Sequence, residues 1–109
     1  QARVEYRQTA SDINPYIAMA TCLGAGLWGI EHAVDPGEPV GGDATEPGKA
    51  PPLPTTLADA VRLLSASDEA KQVLGETFVD HYVRTRNFEA RQYDLAVTDW
   101  ELRRYFEAI

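Results

Sequence analysis

The sequence has a single cysteine and only two histidines, and its basic residues are outnumbered by acidic ones. One cysteine, Cys22, cannot form an internal disulfide, which is typical of a reducing compartment such as the cytoplasm. Cys22, His32 and His81 are also too few and too widely spaced for a zinc motif. Ten Lys and Arg against 17 Asp and Glu give a net charge of −7. Nucleic acids and anionic membranes reward a basic surface, so neither is expected as a partner.

Long apolar runs are scarce as well. The first residues carry charges of both signs, which argues against a signal peptide. From Ile13 to Ile30 the chain has no charged residue, over about the length of a membrane span. This stretch is rich in Ala and Gly and contains Asn14 and Pro15. It is interpreted as a helix buried inside a soluble protein, with Cys22 as a buried, unreactive thiol.

The first residues alternate in the way that is typical of a β-strand. Alternation places Arg3, Glu5 and Arg7 on one face and Val4 and Tyr6 on the other. About five helices are expected to follow, so the predicted fold class is α+β, mostly α, with one N-terminal strand. A lone strand lacks a partner for its backbone, which indicates a piece of a larger catalytic sheet. The 109 residues then form one domain or part of one.

The segments that follow are separated by capping and breaking residues. Residues 1–8 are the strand, and residues 9–33 hold the first helix, with Asn14 as N-cap and Pro15 at its first position. Its predicted inward stripe is Tyr16, Ala20, Leu23, Leu27 and Ile30. Residues 34–56 are a long loop with six of the seven prolines and half of the eight glycines. It is either an extended surface crossing or a functional covering or mobile segment.

Residues 57–109 are predicted to be the helical C-terminal part. The predicted caps are Thr56, Ser67, Gly75 and the capping box of Thr98 with Glu101. The residues expected to face inward on the last two helices are Phe78, Tyr82, Val83, Trp100, Leu102, Tyr105, Phe106 and Ile109.

The charged face of the strand offers two kinds of chemistry. Alternate residues lie about 6–7 Å apart along a strand, so Arg3, Glu5 and Arg7 would stand side by side. A carboxylate suits Mg²⁺ or Mn²⁺, and guanidiniums bind phosphate and carboxylate through paired donors. A salt-bridged surface strand gives the same pattern, so the three residues alone leave both interpretations open.

The wider sequence adds context. RVEYR at residues 3–7 is followed by an N-P-Y helix start at residues 14–16, and VTDWELRRYFE at residues 97–107 closes the chain. Together these resemble the C-terminal portion of the glutamine synthetase family's catalytic domain, over essentially all 109 residues. The closing stretch resembles the branch with bacterial glutamine synthetase-like and γ-glutamylpolyamine synthetase proteins. Many members have a Pro-Gly-like turn where this chain has Gln8-Thr9-Ala10.

The resemblance implies an ATP-dependent ligase of nitrogen metabolism. ATP would phosphorylate the side-chain carboxylate of glutamate, and ammonia or a primary amine would displace the phosphate to give an amide. By the same resemblance, Glu5 would be a ligand of a catalytic Mg²⁺ or Mn²⁺, and Arg3 would contact the ATP phosphates. Arg7 would be the catalytic residue beside the glutamate substrate, where it stabilises developing charge. The parent protein is expected to be a ring-shaped homo-oligomer.

Most of the family's metal ligands and ATP contacts have no counterpart in these residues. The 109 residues alone are therefore expected to be inactive and to need the remainder of their own catalytic domain. Three functions stay open: a glutamate–amine ligase, a non-catalytic relative with a structural or regulatory role, and a small helical interaction module. Within the first, a polyamine is the alternative to ammonia.

Overall fold

A computed structural model describes residues 2–3 and 5–106 and shows five helices within them. They are α1 (Pro15–Glu31), α2 (Leu57–Ala66), α3 (Asp68–Leu74), α4 (Glu76–Leu95) and α5 (Asp99–Tyr105). The prediction of a mostly helical chain is confirmed. Val4 and Ile109, which the sequence assigns to the strand and to the last helix, lie outside the described residues.

The predicted N-terminal strand is wrong. The described part of the chain contains no strand, and residues 5–8 have irregular backbone. The α+β class is therefore corrected to all-α for these residues. A strand forms through a ladder of hydrogen bonds to a neighbouring strand, and no other described segment pairs with residues 2–3 or 5–8. An alternating pattern cannot by itself supply this ladder.

Side-chain caps start α1, α2, α3 and α5 as predicted. Asn14 accepts hydrogen bonds at its Oδ1 from the backbone N–H groups of Tyr16, at 3.0 Å, and Ile17, at 3.3 Å. Each bond satisfies a donor that the first turn of α1 leaves without an intrahelical partner. Thr98 and Glu101 form a reciprocal capping box before α5. These local bonds fix the helix starts without help from tertiary packing.

α1 to α4 pack together, and the core that they form is small. α2 and α3 both contact α4, and α1 contacts α3. Gly75, with φ of 86°, joins α3 directly to α4 in a conformation that a side chain would disfavour. Val61 of α2 and Val79 of α4 are the buried apolar residues among those described. Phe78, Tyr82 and Val83 are partly buried, as predicted, whereas the inward prediction for α5 is wrong because its described apolar residues are exposed.

α1 contacts α3 through a different face from the one predicted. Trp28 donates its Nε1–H to Oε1 of Gln72 at 2.8 Å, and Gly24 lies against Val73. The predicted inward stripe is exposed instead, with Tyr16 and Ile30 each 78% exposed. The thiol of Cys22, predicted to be buried, is also exposed. Among the described residues, no helix combines the length and apolar character needed to cross a membrane.

Residues 34–56 contain no helix or strand, as predicted. Short local turns shape this Pro/Gly loop. Oδ1 of Asp35 accepts from the backbone N–H of Gly37 at 2.8 Å, and Oδ1 of Asp43 accepts from that of Thr45 at the same distance. Such Asx turns fold the backbone locally, so the loop has defined geometry without a core of its own.

Candidate functional site

The side chains of Arg3, Glu5 and Arg7 meet in one cluster, which we call the Arg3–Glu5–Arg7 cluster. Arg3 donates from Nε to Oε1 of Glu5 at 2.8 Å, and its Nη2 lies 2.5 Å from the same oxygen. Arg7 donates from Nε to Oε2 of Glu5 at 2.9 Å and also pairs through Nη2. Each carboxylate oxygen therefore faces one guanidinium. The structure brings together all three residues that the sequence singles out.

The two arginines stabilise the charged form of the Glu5 carboxylate. Hydrogen bonds from Arg7, and secondly from Arg3, hold the pKa of Glu5 below its usual value. Glu5 is therefore ionised at neutral pH, and the cluster carries one net positive charge. The side chains of Arg3 and Arg7 are 79% and 83% exposed, so both guanidiniums are open to an incoming anion. Planar guanidiniums match phosphate and carboxylate groups through paired N–H donors, so the cluster suits an anionic ligand.

A divalent cation fits this cluster only in part. The Glu5 carboxylate is an oxygen donor of the kind that Mg²⁺ and Mn²⁺ prefer. Both of its oxygens already accept from guanidiniums, so at least one of these pairs must open to admit a metal. Across residues 2–3 and 5–106, no three His, Cys, Asp or Glu side chains come together as a metal-binding group. Glu5 can thus be one ligand, and the others must come from elsewhere.

The N-P-Y segment follows the cluster in the chain and starts α1. A bend at Thr9 and a turn at Ser11–Asp12 lead from Arg7 to the start of α1, and the backbone N–H of Ile13 donates to the carbonyl of Ala10 at 3.3 Å. The departure at Gln8-Thr9-Ala10 therefore still gives a change of direction. Asn14 is occupied by capping α1, so its side chain contributes structure to the site rather than chemistry.

A concave feature lies between α1, α2, α3 and α4 and was not predicted from the sequence. It is an apolar cleft of about 310 Å³, and its lining includes Ile17, Thr21, Trp28, Val73, Phe78 and Tyr82. The cluster residues are not part of this lining. Residues 17, 21 and 28 recur at helical spacing, which could have indicated this face of α1. The predicted inward stripe of α1 has the same spacing and is more strongly apolar, so it was preferred. The cleft has no group of titratable side chains suited to catalysis.

The chain is similar in sequence to proteins of one family. The sequence model described as glutamine synthetase, catalytic domain, matches residues 1–105. The type-1 glutamine synthetase 2 of Dictyostelium discoideum is 45% identical across 98% of this chain and 21% of its own length. A gamma-glutamylethanolamide synthetase of Streptomyces coelicolor is 44% identical across 96% of the chain and 22% of its own length.

A further relative is a glutamate–isopropylamine ligase from a Pseudomonas species. It is 37% identical across 99% of this chain and 24% of its own length. The chain thus spans between a fifth and a quarter of the length of these curated relatives. No solved structure matches the chain significantly.

Proposed function

The chain belongs to the glutamine synthetase family, and from that premise we propose that it is part of an ATP-dependent glutamate–amine ligase. In the proposed reaction, the γ-phosphoryl group of ATP passes to the side-chain carboxylate of glutamate. Ammonia or a primary amine then attacks the acyl carbon, and phosphate leaves as the amide forms. Because the relatives are four to five times longer, we assign this activity to a larger protein that contains these residues.

The Arg3–Glu5–Arg7 cluster is the observation that carries this proposal. Both substrates are anions, and two exposed guanidiniums on either side of one carboxylate can bind two anionic groups side by side. We propose that Arg3 contacts the ATP phosphates and that Arg7 contacts glutamate and the transferring phosphoryl group. Arg7 would then stabilise the charge that develops on the equatorial oxygens.

Glu5 has a different part in the proposal. Like any exposed glutamate it is ionised at neutral pH, as a metal ligand must be, and the carboxylate holds both guanidiniums in place until substrates arrive. A bound Mg²⁺ or Mn²⁺ would neutralise charge on the phosphates. The described residues supply only this one ligand, so we propose that the rest of the catalytic domain completes the set.

The identity of the amine is the second question. Two of the relatives are named for an organic amine, ethanolamine in one and isopropylamine in the other. These names favour a primary amine as an alternative to ammonia, and a polyamine such as putrescine belongs to the same chemical class. The proposal also includes a ring-shaped homo-oligomer, on the family resemblance, and a cytoplasmic location, on the single cysteine.

ADP release from the full-length protein that contains these residues tests the proposal. The assay contains ATP, Mg²⁺ and glutamate with ammonia, putrescine, ethanolamine or isopropylamine. We expect turnover with one amine, reduced about 10²–10³-fold by Glu5→Ala or Arg7→Ala. The matched control is Glu46→Ala, which removes an exposed carboxylate paired with Lys49 at 2.7 Å, outside the cluster. This control should retain full turnover.

Three results bear on the alternatives. A folded full-length protein without turnover on any amine favours the non-catalytic relative. Equal losses from Glu5→Ala and Glu46→Ala would remove the cluster from the mechanism. Turnover by the 109 residues alone would contradict the expectation that they need the remainder of the domain.

A further inference from the structure

α1 has an exposed apolar face that nothing else in the described chain covers. This face, the outer face of α1, consists of Tyr16, Met19, Leu23, Leu27 and Ile30. At 3.6 residues per turn these positions fall within about 80° of one another around the helix axis. Leu23 is 70% exposed and Leu27 is 61% exposed, although both are large aliphatic residues. The outer face is therefore a continuous stripe rather than scattered surface residues.

The other side of α1 is already occupied. Trp28 is bonded to Gln72 of α3, and Gly24 lies against Val73. No charged residue occurs between Ile13 and Ile30. α1 is thus apolar on the face that packs and on the face that does not. A helix that is apolar all round belongs in the interior of a larger packed structure.

The chain exposes more surface than a compact protein of its size. The chain exposes 9822 Å², whereas a compact protein of 12.0 kDa exposes about 6,000 Å². Its radius of gyration is 18.2 Å, against about 13 Å for a compact chain of this length. A standard interface removes only about 800 Å² from each partner. One interface with a second copy would therefore leave most of the excess of about 3,800 Å² uncovered.

We propose that the outer face of α1 is the surface on which the remainder of the same catalytic domain packs. The length of the relatives supports this occupant, since roughly four-fifths of the Dictyostelium protein lies outside the matched stretch. The inference rests on the proposed assignment of the chain to a larger catalytic domain, but not on its activity or its amine.

The composition of α1 defines the chemistry of the packing surface. The outer face has no charge to neutralise, so its partner surface must be apolar and uncharged. At Gly26 and Gly29 nothing lies within 4 Å of where a Cβ would be. Of these two, Gly26 lies next to Met19 around the helix axis, about 20° away, and leaves α1 low along the edge of the outer face. The backbone of the partner can therefore approach closely there.

Thiol labelling of the full-length protein tests this proposal. Cys22 is exposed here and follows Met19 by three residues on α1, so it reports on the edge of the outer face without any substitution. A Leu27→Cys variant reports on its centre. Leu53→Cys, in the Pro/Gly loop, is the matched control because Leu53 is 57% exposed against 61% for Leu27. Each rate of reaction with iodoacetamide is divided by the rate for the same position in urea.

We expect the thiols at Cys22 and Leu27→Cys to react at least about tenfold more slowly than Leu53→Cys in the native protein. Rates within about twofold of the control at both positions would overturn the proposal. Protection that disappears on dilution to monomer would assign the face to a second copy and would also overturn it. Protection that needs added phosphatidylglycerol vesicles would assign it to a membrane, with the same consequence. If Leu27→Cys does not fold, the unsubstituted Cys22 decides the outcome.

These readouts do not depend on catalysis. A protected Cys22 in a protein without ligase turnover would support the packing surface and contradict the proposed function. An active ligase in which Cys22 and Leu27→Cys are both unprotected would support the proposed function and contradict the packing surface.

Discussion

Gly24 of α1 lies so close to Val73 of α3 that a Cβ at position 24 would overlap Cγ1 of the valine. A real Cβ does not approach another carbon so closely, and the valine side chain is stiff about χ1. The contact therefore sets how near α1 can come to α3. It also explains a glycine in the interior of a helix, where alanine would ordinarily be preferred by about 1 kcal/mol.

We predict that Gly24→Ala lowers the free energy of unfolding. Overpacking costs about 1–3 kcal/mol, which exceeds the gain in helix propensity of about 1 kcal/mol. Urea unfolding of the protein, followed by circular dichroism, measures the change. Val73→Ala is the companion variant, because it removes the atom that the new Cβ meets. In that background Gly24→Ala should become neutral or stabilising, and destabilisation of the same size in both backgrounds would exclude the contact as the cause.

The second prediction concerns the titration of Glu5. The arginines lower the pKa of this carboxyl, so its midpoint should lie below 4.5 in a carbon-13 NMR titration of the side chain. A pKa that is lower in the folded than in the unfolded chain contributes stability above the unfolded value. That contribution is lost as the pH falls below about 4.5 and through the folded pKa.

Two variants identify which arginine dominates. Arg7→Gln should raise the pKa of Glu5 more than Arg3→Gln does, because Arg7 makes the larger contribution. Arg62→Gln is the control, since Arg62 pairs with Asp59 instead, at 3.3 Å. A Glu5 midpoint that is unchanged by either cluster variant would show that the ion pairs do not persist in solution.

The third prediction tests the small core. Val79 on α4 is 1% exposed, so Val79→Ala removes packed methyl groups and should cost about 1.5–3 kcal/mol in the free energy of unfolding. Val97 makes a matched control, because it is the same residue type at 70% exposure. Val97→Ala should change the stability by less than about 0.5 kcal/mol. Thermal unfolding of both variants supplies the measurement, and equal shifts would contradict the assignment of Val79 to the core.

The helices were largely predictable from the sequence because their signals are local. Asn14, Ser67 and Thr98 each accept a bond from a backbone N–H two or three residues later. Such bonds depend on neighbours in sequence, which a pattern can identify. The cap at Gly75 was predictable for the same reason, since a positive φ depends on the glycine itself and not on distant residues.

Features that depend on distant residues were harder to predict. Hydropathy ranks the stripe of Leu23, Leu27 and Ile30 as the inward face, yet in this chain α3 lies against Gly24 and Trp28. The sequence measures how apolar a face is but does not say which neighbour is available to cover it. The prediction of a strand is wrong on the same ground, because the described residues contain no strand with which it could pair.

The candidate site depends partly on local residues, which could be predicted, and partly on distant ones, which could not. The sequence places Arg3, Glu5 and Arg7 on one face, and their side chains meet although no strand is present in the described residues, because contacts between residues two apart need no partner strand. The partial metal set could not be completed from this sequence, since binding needs side chains brought together in three dimensions. The roles of the three residues remain predictions, and the amine-dependent assay tests them.

The turns at Asp35 and Asp43, in the connection between α1 and α2, are held by hydrogen bonds between residues two apart. They therefore do not depend on the total length of the connection. Doubling such a connection adds only about 0.6 kcal/mol of closure entropy. Insertions and deletions between residues 34 and 56 should therefore change the free energy of folding only slightly. A shift of one residue within α1, in contrast, would misalign Gly24 with Val73. The connection is a segment in which family members could diverge in length while their helices keep their register.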